Sequence, residues 1–251
     1  MKLANWNLNR ANTEPRRQRL REEVDRISAD DRIRPDIWVF TETKECFTPG
    51  DGYPYSFSSA KGRDGICIDL PEDHWVTIHS KYHLEKLATK DEVRTVAVRV
   101  FPPGKSPFLI FGTVLPWIGD KWHGLPSKSG EAFQKALELQ KSDWRERQSE
   151  FPDDELFVIG DFNQDLVIPH FYGSKDNKRA LNCALKERGL VALTGGDDDP
   201  ILRDSPPFAC IDHICSSNRY WKPEPAVRWP DKPDKRLSDH FGVAVSLNQK
   251  R

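Results

Sequence analysis

Residues 156–163 read Leu-Phe-Val-Ile-Gly-Asp-Phe-Asn. Four large apolar residues make a short run of strand formers, a glycine interrupts it, and an acid follows at once. A carboxylate at the end of a buried strand is costly to hold there unless it is paired or bound to a cation. The same figure recurs along the chain. Ile37-Trp38-Val39-Phe40-Thr41 runs straight into Glu42, and Cys210-Ile211 delivers Asp212 and His213. Ser238-Asp239-His240 stands directly before the apolar run 241–247, and the first run, 3–8, carries Asn7 with Asn9 just beyond it. One acid so placed is noise. Four of them, with amides and a histidine, predict a single pocket at one rim of the strands.

Working outward, further short runs rich in Val, Ile, Phe and Trp predict strands at 36–41, 65–70, 75–79, 93–101, 108–115 and 210–215. Three segments carry helical spacing. Leu20, Val24 and Ile27 share a face in 15–27, with Pro15 placed for a first turn. Phe133, Ala136, Leu137, Gln140 and Trp144 make a stripe in 131–147. Leu181, Ala184 and Leu185 do so in 177–188, where Gly189 sits as a C-terminal cap. Many strands and few helices predict an α/β (α+β) fold, two packed sheets with helices outside. The proline-rich stretch 223–233 holds Val227 and Trp229 and reads as a loop with an edge strand. No linker or repeat divides residues 1–251, which are read as one domain.

The 38 basic and 39 acidic residues leave a net charge of −1, which excludes a broad basic coat for duplex nucleic acid. Hydrophobic residues are only 37 %, but 8 Trp and 13 Phe supply large buried area to a lean core. No run approaches the ~18 consecutive apolar residues of a membrane helix. Asn5, Asn7 and Asn9 occupy the place where a signal peptide needs an apolar block, so a cytoplasmic, non-exported protein without membrane or partner protein is expected. The five cysteines fit reduced thiols. Cys210 and Cys215, around Asp212 and His213, allow a zinc knuckle, but small residues alternating in a strand are the simpler reading.

Carboxylate and amide oxygens without a His/Cys cluster suit Mg²⁺ or Mn²⁺, with Ca²⁺ next, rather than structural zinc. Mg²⁺ leaves most of its positions to water and substrate phosphate, which points to metal-assisted attack on a phosphate ester. The pieces WNLN at 6–9, FTE at 40–42, GDFN at 160–163, IDHI at 211–214 and SDH at 238–240 occur in one order across nearly the whole chain. With these pieces the sequence resembles the endonuclease/exonuclease/phosphatase superfamily. The resemblance implies a four-layer α/β sandwich of two mostly antiparallel sheets flanked by helices. It implies Glu42 as main metal ligand, with Asp239 in support and Asn9 at a position that is an acid in some members. It implies that Asp161 orients and deprotonates the attacking water, and that Asn163 and Asn7 donate to phosphoryl oxygens and neighbouring carboxylates. His240, held by Asp212, would present a proton to the phosphate.

Against the family pattern, a second histidine seen in its deoxyribonucleases is replaced by Val114, and its partner acid by Thr95. His240 is then the one expected imidazole, with His123 in the following loop as a spatial substitute. Trp117, with Trp122, either stacks a base or sugar or packs the sandwich edge. Arg203 is a candidate phosphate contact, and Lys232, Lys235 and Arg236 are candidates for a positive rim. Three functions stay open: a metal-dependent nuclease acting on DNA or RNA, a phosphatase or phosphodiesterase for a small or lipid phosphate, and a non-catalytic binding member. The nuclease leads, because no added substrate loop of the phosphatase kind is visible.

Overall fold

A computed structural model describes residues 1–61, 73–121, 128–204, 206–217, 219–230 and 237–249. The elements in chain order are β1 (Lys2–Asn7), α1 (Glu14–Ala29), β2 (Ile37–Lys44), β3 (Tyr55–Ser58), β4 (Asp73–Ser80), β5 (His83–Leu87), β6 (Thr95–Phe101), β7 (Phe108–Val114), α2 (Glu131–Glu150), β8 (Glu155–Asp161), α3 (Lys175–Glu187), β9 (Val191–Ala192), α4 (Pro200–Asp204), β10 (Asp212–Ser216), β11 (Trp221–Pro223), β12 (Val227–Trp229) and β13 (Gly242–Gln249). The predicted strand at 65–70, with Cys67, lies outside the described residues.

Two mixed sheets pack face to face. One runs β11-β13-β1-β2-β4-β3, with β12 also on β13, and the other runs β5-β6-β7-β8-β10-β9. Only the β1/β2 and β7/β8 pairs are parallel among the described strands. Alternation along each strand sorts the residues into layers. Leu3, Ile37, Val39, Phe157, Ile159 and Ile214 fill the space between the sheets. Trp6, Trp38 and Phe40 face outward onto Leu20, Val24 and Ile27 of α1. Leu156 and Val158 face outward onto Phe133, Leu137 and Leu181 of α2 and α3. The four expected layers are therefore present.

The helix signals worked locally. Pro15 sits in the first turn of α1. Ser174 caps α3 by accepting from the Asn177 backbone N at 3.1 Å, and Gly189 follows it with φ +65°. Strands β3, β5, β9 and β11 were missed; they are short edge or near-edge pieces with polar or exposed residues. Cys210 and Cys215 are both fully buried but belong to the inner and the outer core respectively, so they pack rather than converge on an ion.

Gly160 is dictated by a close approach. Its φ is +152°, and a Cβ there would stand 1.8 Å from the carbonyl oxygen of Thr113, its register partner across β7/β8. Gly160→Ala is expected to cost about 3 kcal/mol or more of stability, read as a lower urea midpoint, because β8 must separate from β7.

Candidate active site

The parallel β1/β2 pair and the antiparallel β1/β13 and β8/β10 pairs bring five chain segments to one end of the sandwich. Parity does the rest. Asn7 follows the inward set of Leu3, Asp161 that of Phe157 and Ile159, and Asp212 that of Ile214, so all three aim between the sheets. Asp212 and Asp161 are direct cross-strand partners.

Asn7 ties the site together. Its Nδ2 donates to Asp161 Oδ2 at 3.0 Å and to Glu42 Oε1 at 3.2 Å, while its Oδ1 accepts from the Asn9 backbone N at 2.7 Å. Asn163 donates to Asp161 twice, from its backbone N at 2.8 Å and from Nδ2 at 3.1 Å, and to the Leu115 carbonyl at 2.9 Å. His240 Nδ1 lies 2.6 Å from Asp212 Oδ2. Asn9 Nδ2 donates to Asp239 Oδ1 at 2.8 Å, and Ser238 Oγ both donates to Asp239 and accepts from the His240 backbone N.

Glu42 owes its place to backbone conformation. Alternation would send it outward with Trp38 and Phe40. Its φ is +48°, and the β2/β4 ladder skips it between Thr41↔Val76 and Thr43↔His74, so the strand turns the carboxylate toward Asn7. Asn9, Arg10, Ala11 and Asn163 also adopt left-handed φ, and each such residue costs of order 1 kcal/mol. Such strain gathered at one pocket is a mark of a functional site.

The electrostatics follow from burial and crowding. Asp161 is held well above the ordinary carboxylate range, first by burial and then by the charge of Asp212, with Glu42 adding. Burial alone would lower the His240 pKa, but Asp212 and Asp161 overcome it and bring it up to about 10. The charged form of the imidazole, which donates on both nitrogens, is thereby favoured. Asp161, Asp212 and His240 bring ligand atoms within 4.8 Å of one another, and within this group Asp212 and His240 form a hydrogen-bonded pair. Glu42, Asp239 and the amide of Asn9 carry further oxygens within the same network. Among the described residues, the carboxylates of Glu42, Asp161, Asp212 and Asp239 gather here with Arg10 beside Glu42 and His240 beside Asp212, an oxygen-rich donor set that suits a hard divalent ion.

Two residues with a part in the site were missed. Arg10 packs its guanidinium 5.0 Å over the Trp75 ring and sets Nε 3.4 Å from Glu42 Oε2, while Arg94, buried and paired with Asp120 at 3.2 Å, lies 5.2 Å from the same ring. Asn5, inward-facing like Asn7, donates across the sheets to the Gly160 carbonyl at 3.0 Å and locks β1 to β8. Its place two residues before Asn7 was the available signal.

Val114 is buried between the sheets, and Thr95 donates to the Asp91 carbonyl at 2.6 Å. Trp117 is half exposed, two residues beyond the Leu115 carbonyl that holds Asn163. Arg203 is placed apart from this network: on α4 it pairs with Asp204 at 2.9 Å and donates to the Ala226 carbonyl. Trp122, His123, Lys232, Lys235 and Arg236 lie outside the described residues.

Comparison with known proteins gives the same picture. A mannosyl-6-phosphatase of Bacteroides thetaiotaomicron superposes with TM-score 0.67 at 16 % identity, covering 99 % of both chains. The human Nocturnin catalytic domain, solved with a bound sulfate anion, gives 0.66 at 15 % identity over 100 % of this chain and 94 % of its own. The endonuclease domain of the telomere-specific retrotransposon TRAS1 gives 0.58 at 16 % identity over 97 % and 96 %. Curated protein sequences yield no match. The sequence model of the Endonuclease/Exonuclease/phosphatase family matches residues 4–240, a span that contains every segment of the network above, and the chain belongs to that family.

Proposed function

We propose that the chain is a divalent-metal-dependent phosphodiesterase that hydrolyses DNA or RNA by in-line attack of water. The observation that carries this reading is the Asn7 amide, which bridges Glu42 and Asp161 in one pocket with the Asp212–His240 pair. Mg²⁺ or Mn²⁺ fits Glu42 with Asp239 and Asn9, and would supply charge stabilisation to the phosphate.

The chain's own residues do the following. Asp161, with a raised pKa, takes the proton of the attacking water, and the two Asn163 donors keep its carboxylate oriented. His240, protonated and fixed by Asp212, donates to a non-bridging oxygen and meets the charge that grows there as the bond to the leaving alcohol breaks. Arg10 sets a permanent positive charge beside Glu42.

A smaller phosphate ester is the second reading. It is favoured by the net charge of −1 and by the full-length match to the fold of a mannosyl-6-phosphatase. A panel of plasmid, single-stranded DNA, RNA, abasic duplex, inositol phosphates and bis-aryl phosphate at fixed metal and salt separates the two. Cleavage of inositol phosphate and of no polynucleotide reverses the order.

The cation can be tested without turnover. Asp161 has a folded pKa above its ordinary 3.8, so the metal-free native state holds a proton that the unfolded chain has released, and stability falls as pH rises from there. A divalent ion relieves that charge crowding. Added Mg²⁺ should therefore raise the melting temperature more at about pH 8 than at about pH 5. An equal shift at both values counts against an ion beside Asp161.

A further inference from the structure

The segment between β8 and α3 is fixed from within. Asp165, fully buried, accepts from the backbone N of Val167 (3.1 Å), Phe171 (3.0 Å) and Tyr172 (2.7 Å) and from Lys178 Nζ (2.6 Å). Burial alone would raise its pKa, yet Lys178 and these amides hold it below the ordinary value. Gln164, also buried, accepts from the Ser174 N at 3.0 Å and donates to the Tyr172 carbonyl at 2.7 Å. Gly173 has φ +85°, and a Cβ there would come within 2.2 Å of Gln164 Oε1.

A loop so constrained nonetheless turns aromatic rings to solvent. Phe171 is 42 % exposed and Tyr172 37 %. Phe208, 36 % exposed, meets Phe171 edge-on at 6.2 Å. It also lies 6.4 Å from the ring of Phe241, the residue after His240. The row of rings therefore ends on Phe241, one residue along the chain from the imidazole. Tyr172 follows Phe171 on the same fixed loop, its backbone N donating to Asp165 and its carbonyl accepting from Gln164. Large apolar surface held rigidly in water beside a reactive centre is a binding feature.

We propose that Phe171, Tyr172 and Phe208 form a stacking ledge for an unpaired nucleobase next to the scissile phosphate, which makes single-stranded nucleic acid the substrate class. This rests on the phosphodiesterase reading above. Flat rings with one hydroxyl match the π-face of a base, and such stacking tolerates any sequence. A single strand offers its bases unpaired and needs fewer backbone cations than a duplex, in keeping with the net charge of −1. A sugar phosphate can lay C–H bonds on such rings but brings no π-face of its own.

The test compares oligothymidylate with an oligomer of equal length whose sugars carry no base. The ratio of kcat/KM for the two is expected to fall about tenfold in Phe171→Ala, Tyr172→Ala and Phe208→Ala. Phe171→Leu keeps apolar bulk but loses the flat face, and should lower the ratio as well. Val191→Ala, at an exposed apolar residue outside the ledge, controls for surface change. Fluorescence anisotropy of labelled oligothymidylate with the metal chelated reads the ledge independently of turnover, and binding should weaken about tenfold in the same variants. Ratio and binding both unchanged overturn the ledge while leaving hydrolysis standing. Ledge-dependent binding without hydrolysis of any ester supports the ledge and removes the phosphodiesterase reading. Loss of binding to phosphatidylserine vesicles in the variants, with oligonucleotide binding intact, would make the rings a membrane contact and overturn the proposal.

Discussion

Glu42→Gln is expected to lower kcat by about 1000-fold or more while leaving the melting temperature of the metal-free protein within a few degrees of the parent. The glutamine oxygen can still accept from Asn7 Nδ2, so the bridge to Asp161 survives. On the proposed mechanism, what disappears is the charge that would hold the ion, and with it several kcal/mol of stabilisation at the phosphate, where about 1.4 kcal/mol is a factor of ten. Chelation should abolish the parent's activity and Mg²⁺ or Mn²⁺ restore it, whereas the variant should need far more metal for its residual rate. Hydrolysis at the parental rate in Glu42→Gln would remove Glu42 from the metal site.

His240→Ala should cost a comparable factor, about 1000-fold in kcat, since on the proposed mechanism it deletes a charged donor to the phosphate. The sharper test is Asp212→Asn, read as a pH profile. Asp212 is the largest influence raising His240 against the opposing effect of burial, and the next after burial in raising Asp161. Its neutralisation lowers both pKa values. The parent needs Asp161 deprotonated and His240 protonated, so its alkaline limb lies near pH 10. In Asp212→Asn both limbs move toward acid, and activity lost at pH 8 partly returns near pH 6. Stability follows with its own sign. A histidine raised above its ordinary 6.5 stabilises the native state fully below that value, and the contribution is lost as pH rises through about 10. The variant should lack that decline. A profile that keeps its shape and position would show that the pair does not set the imidazole's charge.

Particular residues show how far the convergence of these side chains could be read from the sequence. Asn7, Asp161 and Asp212 continue the inward parity of their strands, so an alternating apolar pattern that ends in an acid or amide already placed them at a buried rim. Asp239 and His240 were legible as a polar pair pressed against an apolar strand. Glu42 was found for its chemistry, but its direction was not in the pattern, because a left-handed residue inside β2 reverses what alternation gives. Arg10 looked like one arginine among many, and only its seat on Trp75 and Glu42 marks it. Strands β3 and β9 were invisible because short edge pieces carry too little burial to leave a period.

The order of apolar runs, the breaks between them and the acids at their ends were properties of the sequence alone, because strand period and the cost of a buried carboxylate act over a few neighbouring residues. Which cations face which carboxylates, and which exposed rings meet one another, was decided by the tertiary structure. Residues 7, 42 and 161 meet only through sheet pairing, as do 212 and 240, and residues 171 and 208 only through loop packing. Local pattern carries no information about contacts between segments so far apart in the chain.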